Sequence, residues 1–146
     1  MNIFFRRYIS EFVYGAVDGT VTTFAVVAAS AGAGISSAVI LILGIANLIA
    51  DGFSMGASAY LAASAEHEDS ARDTQKRASP KIIGAVTFLA FVAVGSVPVL
   101  PYLIDVIAGS KVPSTTLFYI SSALTAVAFL TIGFIKGKVG NQSPWR

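Results

Sequence analysis

The chain has 146 residues, of which 55% are hydrophobic and 12% are charged, and its net charge at pH 7 is +2. Because a soluble domain carries about 25% charged residues, this composition excludes an ordinary water-soluble fold and favours a membrane protein. The absence of cysteine excludes disulfides, thiolate metal ligands and cysteine nucleophiles, and the small net charge gives no support for nucleic-acid binding.

Four apolar stretches are each long enough to cross a bilayer. They predict an all-α fold, a polytopic membrane helical bundle with four transmembrane helices in a single domain over residues 1–146. The predicted spans are residues 12–33, 37–63, 82–108 and 114–135. The first span has membrane length and carries Asp18, which argues against a cleaved signal peptide.

The connections between the spans are shaped by short breaks and by prolines. Only residues 32–36 separate the first two spans, which predicts a tight antiparallel hairpin. Pro98 and Pro101 remove backbone donors within the third span, so they should kink or end its helix. The polar segment 64–81 is expected to continue the second span as a solvated helix until Pro80.

Lysine and arginine are distributed unevenly between the two sides of the predicted bundle. Nine of these ten residues lie before the first span, between the second and third, or after the fourth, and only Lys111 lies on the other side. The positive-inside rule therefore predicts that both termini and the polar segment are cytoplasmic. No soluble domain remains to hold an active site, and no catalytic motif is present, so we do not expect an enzyme.

Polar residues inside the first two spans form the candidate site. Asn47, Asp51 and Met55 are four residues apart and share a helix face, while Asp18 lies in the first span within YGAVDGTVTTF. Intramembrane acids are costly and usually face a bundle interior or an ion path. Carboxylates are hard ligands, and a thioether adds preference for softer transition ions such as Fe(II), so these residues predict a route for a cation.

The expected depths follow from a rise of about 1.5 Å per residue. Measured from the predicted cytoplasmic ends of their spans, Asp18 and Met55 should share a level, with Asp51 about one turn deeper. The alternative is that the acids are neutral, hydrogen-bonded packing residues and that Met55 only fills a gap.

Glycines flank these polar residues at four-residue spacing. Gly15 precedes and Gly19 follows Asp18 in the first span. In the second span, Gly52 precedes and Gly56 follows Met55. Such spacing allows helix backbones to approach closely in lipid. It is typical of an ion path at a helix or subunit contact, and equally of packing within one bundle.

The polar segment contributes a weaker candidate at the cytoplasmic mouth. Glu66, His67 and Asp69 could capture a divalent ion there. The favoured interpretation is a solvated helix stabilised by ion pairs between residues four apart.

Three strings carry a family resemblance: YGAVDGTVTTFAVVAAS, ILGIANLIADGFSMGASAYLAASAE and SPKIIGAVTFLAFVAVGSVPVLPYL. They resemble the vacuolar iron transporter family, which includes yeast vacuolar iron/manganese transporters and plant nodulin-21-like proteins, over most of residues 11–138. The resemblance implies export of Fe(II), often with Mn(II), from the cytoplasm by proton antiport, through a dimer whose path is lined by the first two spans. Asp18 and Met55 match the family's pore positions.

The chain departs from the family pattern in three ways. Only residues 64–81 stand where the family has a large, acidic, metal-binding cytoplasmic domain. Many members carry a glutamate where this chain has Asn47, so Asp51 would supply the acid. The family has five spans, and the chain ends about where the fifth should begin.

These departures keep two alternatives open beside the transporter. One is a truncated, non-transporting membrane subunit that associates with a full-length relative. The other is a proton or monovalent-cation conduit, which needs the acids but has no use for Met55.

The expected partners are the lipid bilayer, the transported divalent ion, protons and a second copy of the chain. No cofactor and no nucleic acid is expected. The expected location is a prokaryotic plasma membrane, with a vacuolar membrane as the alternative.

Overall fold

The computed structural model describes residues 3–69 and 78–139, and it describes the side chains of residues 8–66 and 78–138. Within these ranges the chain is helical and contains no strand. The helices are α1 (Ile3–Gly32), α2 (Ser37–Asp69), α3 (Pro80–Gly95), α4 (Leu100–Ala108) and α5 (Ser114–Val139).

Among the described residues, four segments are long and apolar enough to cross a membrane, which confirms the predicted all-α membrane bundle. They are Tyr8–Gly32, Ser37–Glu66, Pro80–Ala108 and Ser114–Lys138. The helices extend past the predicted span ends because residues such as arginine and glutamate, which lower hydropathy, are still good helix formers. The predicted solvated continuation of α2 reaches Asp69, and residues 70–77 lie outside the described residues.

The connection between α1 and α2 is the predicted tight hairpin. After Gly32, the amide of Ala33 donates to the Ala29 carbonyl at 3.0 Å, and that of Ile35 donates to Ser30 at 3.1 Å. Gly34 has a φ of +70°, a left-handed conformation that favours a residue without Cβ. The hairpin therefore places α1 and α2 side by side and antiparallel.

The third span is broken where the prolines predicted. The α3 helix ends at Gly95, residues Val97–Val99 form a single 3-10 turn, and α4 continues the span from Leu100. The Ser121 hydroxyl of α5 donates to the Pro98 carbonyl at 2.7 Å in a buried environment. This bond satisfies a carbonyl within the break and attaches α5 to it.

The glycine pairs of α1 and α2 pack against α3. A Cβ added to Gly19 would meet the backbone of Phe91, and one added to Gly56 would lie 3.0 Å from the carbonyl oxygen of Gly84. Gly95 approaches the Gly19 backbone just as closely. Of the two interpretations of glycine spacing, these contacts correspond to packing within one bundle, with α3 packed against both α1 and α2.

Large apolar side chains point away from the bundle on its outer surface. Ile49 and Phe53 of α2 are exposed, as are Leu130 and Phe134 of α5. In water such a surface would be an aggregation site, whereas in a bilayer it faces lipid tails. The chain is therefore an integral membrane protein.

The two ends of the bundle carry different connections. At the N-terminal end, where α1 and α3 begin, the Ser79 amide donates to the Tyr8 hydroxyl at 3.1 Å. At the far end, residues 109–113 join α4 to α5 beside the hairpin.

Candidate functional site

A hydrogen bond between Asn47 and threonine side chains joins α1 to α2 within the membrane spans. The Asn47 side-chain amide donates to the Thr23 hydroxyl at 3.2 Å and to the Thr22 hydroxyl at 3.5 Å. The Thr22 hydroxyl in turn donates to the backbone carbonyl of Asp18 at 2.9 Å. A short polar chain thus leads from the backbone at Asp18 to Asn47.

These bonds fix the register of the two antiparallel helices. Asn47 of α2 lies level with Thr22 and Thr23 of α1. Because the helices are antiparallel, a residue four or five positions before these threonines lies level with one about four positions after Asn47. Asp18 therefore lies level with Asp51. Phe91 of α3 supports this register, because it contacts the glycines that directly follow the two acids.

The expectation that Asp18 and Met55 share a level is wrong by about one turn. Met55 lies four residues beyond Asp51, which is about 6 Å closer to the N-terminal end of the bundle. The predicted depths count from the predicted span ends, whereas α1 begins at Ile3 and α2 continues to Asp69. The two helices extend by different lengths beyond their predicted span ends, so the register of α1 against α2 differs from the predicted one.

The four predicted path residues differ in exposure. Asp51 is exposed on the surface of the single chain, whereas Asp18, Asn47 and Met55 are half-buried. Ser54 and Ser58 are exposed near Asp51 on α2. The structure thus brings Asp18 and Asp51 to one level on neighbouring helices, at the edge of the bundle and not within its core.

A cleft of about 250 Å³ opens at the N-terminal end, between α1, α2 and α3. Glu66, the first residue of the weaker sequence-predicted site, lines it together with Ser10, Glu11 and Tyr14. The side chains of the other two residues of that site, His67 and Asp69, lie outside the described residues. Among side chains that are described, no three acids or histidines are grouped closely enough to hold a metal ion.

Glu11, which was not among the predicted site residues, also lies in this cleft. One oxygen of its carboxylate, Oε2, is fully buried and has no hydrogen-bond partner among the described residues. Glu11 lies seven residues before Asp18 and therefore shares its helix face. The seven-residue spacing from Asp18 could have identified Glu11 as a site residue. Its position before the predicted first span, next to the basic and aromatic start of the chain, placed it outside the membrane instead.

A second missed acid, Asp105, has a structural role at the far end. It is buried near the end of α4, where Oδ1 accepts hydrogen bonds from the Ser110 hydroxyl at 2.9 Å and from the Val112 amide at 3.0 Å. Gly109 and Lys111 beside it have φ values of 61° and 50°. Asp105 therefore holds the tight turn between α4 and α5, away from the candidate site.

Comparison with known proteins points to one family. A sequence model of the VIT family matches residues 9–79 and 70–146. A vacuolar iron transporter of Toxoplasma gondii is 44% identical over 61 residues, which cover 42% of this chain and 20% of that protein. No solved structure matches the chain.

Two plant proteins are similar over a longer segment. Vacuolar iron transporter 1 of Eucalyptus grandis is 39% identical over 75 residues, and its namesake of Arabidopsis thaliana is 37% identical over the same length. Each of these matches covers 51% of this chain and 30% of the plant protein. The matched segments thus span less than a third of these relatives, but the family model covers nearly all of this chain, which therefore belongs to the VIT family.

Proposed function

We propose that the chain transports Fe(II) or Mn(II) out of the cytoplasm in exchange for protons, along the face where α1 and α2 meet. The observation that carries this proposal is the shared level of Asp18 and Asp51 on neighbouring membrane helices. Carboxylates within a membrane span are retained where they serve an ion or a proton. Two of them at one level can balance the charge of a divalent cation.

The ligand set of the proposed path combines hard and soft donors. The amide nitrogen of Asn47 is engaged by the threonines, which leaves its side-chain oxygen as a neutral hard ligand beside the acids. Met55 offers a thioether about one turn closer to the N-terminal end. A cation arriving from that end would pass the softer donor first, which favours Fe(II) over Mg(II) and Ca(II).

A second copy of the chain is proposed to complete the path. Asp51 is exposed on a single chain, and an ionised aspartate facing the bilayer centre costs about 3 kcal/mol. Contact between two copies along the face that carries Asp51, Ser54 and Ser58 would remove that cost. The same contact would bring two sets of acids together around the ion.

Proton coupling follows from the chemistry of the carboxylates. A proton and a metal ion compete for the same oxygens of Asp18 and Asp51. Protons arriving from an acidic compartment would displace the metal there, and their release to the cytoplasm would restore the site. The relatives' names point to a vacuolar membrane; the prokaryotic plasma membrane expected from the sequence stays a prediction.

Metal uptake into proteoliposomes tests this proposal. The full 146-residue chain is reconstituted with an acidic interior, and Fe(II) or Mn(II) is added outside. We expect uptake that falls at least tenfold in Asp18→Asn and is partly retained in Asp18→Glu, the matched variant that keeps a carboxylate. Absence of uptake by the unsubstituted chain, shown by circular dichroism and density flotation to be helical and inserted, would contradict it.

A proton or monovalent-cation conduit is the second candidate. It is favoured by the separation of Met55 from the two acids, because such a conduit needs only the carboxylates. Met55→Leu keeps the volume of the side chain and removes the sulfur. Loss of Fe(II) uptake together with the proton efflux that Fe(II) drives supports the metal transporter. A proton or monovalent-cation flux that needs no metal and is unchanged in Met55→Leu supports the conduit.

A further inference from the structure

An apolar groove lies between α2 and α3 on the outer surface of the bundle, with a volume of about 340 Å³. Its floor is formed where Gly56 and Gly84 allow the helices to approach, and a Cβ added to Gly84 would lie 2.7 Å from the Gly56 carbonyl oxygen. The aromatic rings of Phe53, Tyr60 and Phe88 line it. The groove is therefore narrow, apolar and open towards the bilayer.

The positively charged side chain of a lysine lies at the N-terminal end of this groove. Lys81 lines it, is exposed, and follows directly after Pro80, the first residue of α3. No acid lines the groove among the residues that the structure describes. A positive charge above an apolar channel is complementary to a lipid with a negatively charged headgroup and a long hydrocarbon chain.

The groove lies on the opposite side of α2 from the candidate metal path. Tyr60 follows Asp51 by nine residues, which at about 100° per residue places the two half a revolution apart. A second copy seated against the Asp51 face would therefore leave the groove open to lipid. The two surfaces can be tested independently.

We propose that this groove binds an anionic phospholipid. One acyl chain lies along Gly56 and Gly84 between the aromatic walls, and the headgroup phosphate accepts a hydrogen bond from the Lys81 ammonium. The headgroup selects the lipid by charge, and the groove retains it through the buried acyl chain. The lipid would hold the start of α3 against α2.

Native mass spectrometry of the full chain, released from detergent with added lipid, tests the headgroup contact. We expect palmitoyl-oleoyl phosphatidylglycerol to remain bound in preference to the matching phosphatidylcholine. Lys81→Ala should weaken retention of phosphatidylglycerol about fivefold, as expected for one lysine at an anionic lipid. Lys138→Ala, which removes an exposed charge on α5, is the control and should leave retention unchanged.

A second variant tests the groove itself. Ala85 is exposed and lines the groove, so Ala85→Phe fills it without a clash in the core. We expect this variant to lose both lipids, whereas Ala126→Phe on the outer surface of α5 should lose neither.

Four outcomes would overturn the proposal. One is equal retention of the two lipids, and another is retention that Lys81→Ala does not change. The third is retention that survives Ala85→Phe, which would mean a headgroup contact at the surface only. A lipid-free dimer that dissociates on Ala85→Phe would also overturn it, because a second copy would then occupy the groove.

Discussion

The side-chain amide of Asn47 on α2 donates a hydrogen bond to the Thr23 hydroxyl on α1 at 3.2 Å. Thr23 is fully buried and Asn47 half-buried, so water competes little for this bond. It sets the register in which Asp18 and Asp51 share a level. The position of the proposed metal path thus depends on this polar contact and on the packing of the same two helices against Phe91.

Removing this contact should loosen the hairpin. Asn47→Leu preserves the approximate volume but removes both donors, and a hydrogen bond between membrane helices contributes about 1 kcal/mol. We expect a loss of that size in the free energy of unfolding, measured by titration with sodium dodecyl sulfate from a mild detergent. Thr131→Val is the control, because the Thr131 hydroxyl is exposed and bonds only within its own helix. Equal stability of Asn47→Leu and the unsubstituted chain would show that the bond does not hold the hairpin.

The close approach of α2 and α3 predicts that alanine substitutions at two glycines change the free energy of unfolding very differently. A Cβ at Gly84 would meet the Gly56 carbonyl oxygen at 2.7 Å and Cβ of Tyr60 at 2.9 Å, so Gly84→Ala should cost about 1–3 kcal/mol through overpacking. A Cβ at Gly133 would have nothing within 4 Å. Gly133→Ala should therefore leave stability unchanged or raise it by up to about 1 kcal/mol, through helix propensity. The same detergent titration compares the two variants, and equal effects would contradict the packing seen here.

Because Asp51 is exposed, we expect its replacement to impair transport without lowering the stability of the fold. Asp51→Leu removes a charge from the outer surface of a membrane helix, so the thermal unfolding temperature should stay the same or rise. Metal uptake into proteoliposomes should fall at least tenfold, because one of two carboxylates at that level is lost. Thr131→Val, an exposed substitution on α5 away from the proposed path, is the control for surface effects. Retained uptake in Asp51→Leu would remove Asp51 from the proposed path.

Much of the fold could be predicted because hydropathy and backbone chemistry are local. The four spans follow from their apolar length, the hairpin from the short break at residues 32–36, and the bend from Pro98 and Pro101. These features need no knowledge of which helices touch. The register of α1 against α2 does need it, and so the estimated depth of Met55 failed.

The candidate site could be predicted as a set of residues but not as an arrangement. Spacing of four residues placed Asn47, Asp51 and Met55 on one face, yet it could not show that the glycines beside them pack on α3. Nor could it show that Asp51 is exposed on the single chain. Both depend on how α3 packs against α1 and α2, which no single helix sequence contains.

Glu11 offers the last test, at the cleft that opens at the N-terminal end of the bundle. Its Oε2 is buried without a partner among the described residues, so a carboxylate there is available to a passing cation at the cost of lost hydration. Glu11→Gln should therefore preserve or raise thermal stability while it increases several-fold the Mn(II) concentration needed for half-maximal uptake. The maximal rate should change little, because Asp18 and Asp51 lie deeper in the path.

Ser10→Ala is the matched control, since Ser10 is exposed and lines the same cleft. An unchanged Mn(II) dependence in Glu11→Gln would mean that the ion does not pass through this cleft. A lower stability in Glu11→Gln would mean instead that the carboxylate has a structural partner. Since Glu11 shares a helix face with Asp18, the expected result would extend the proposed path along α1 by two turns toward the N-terminal end.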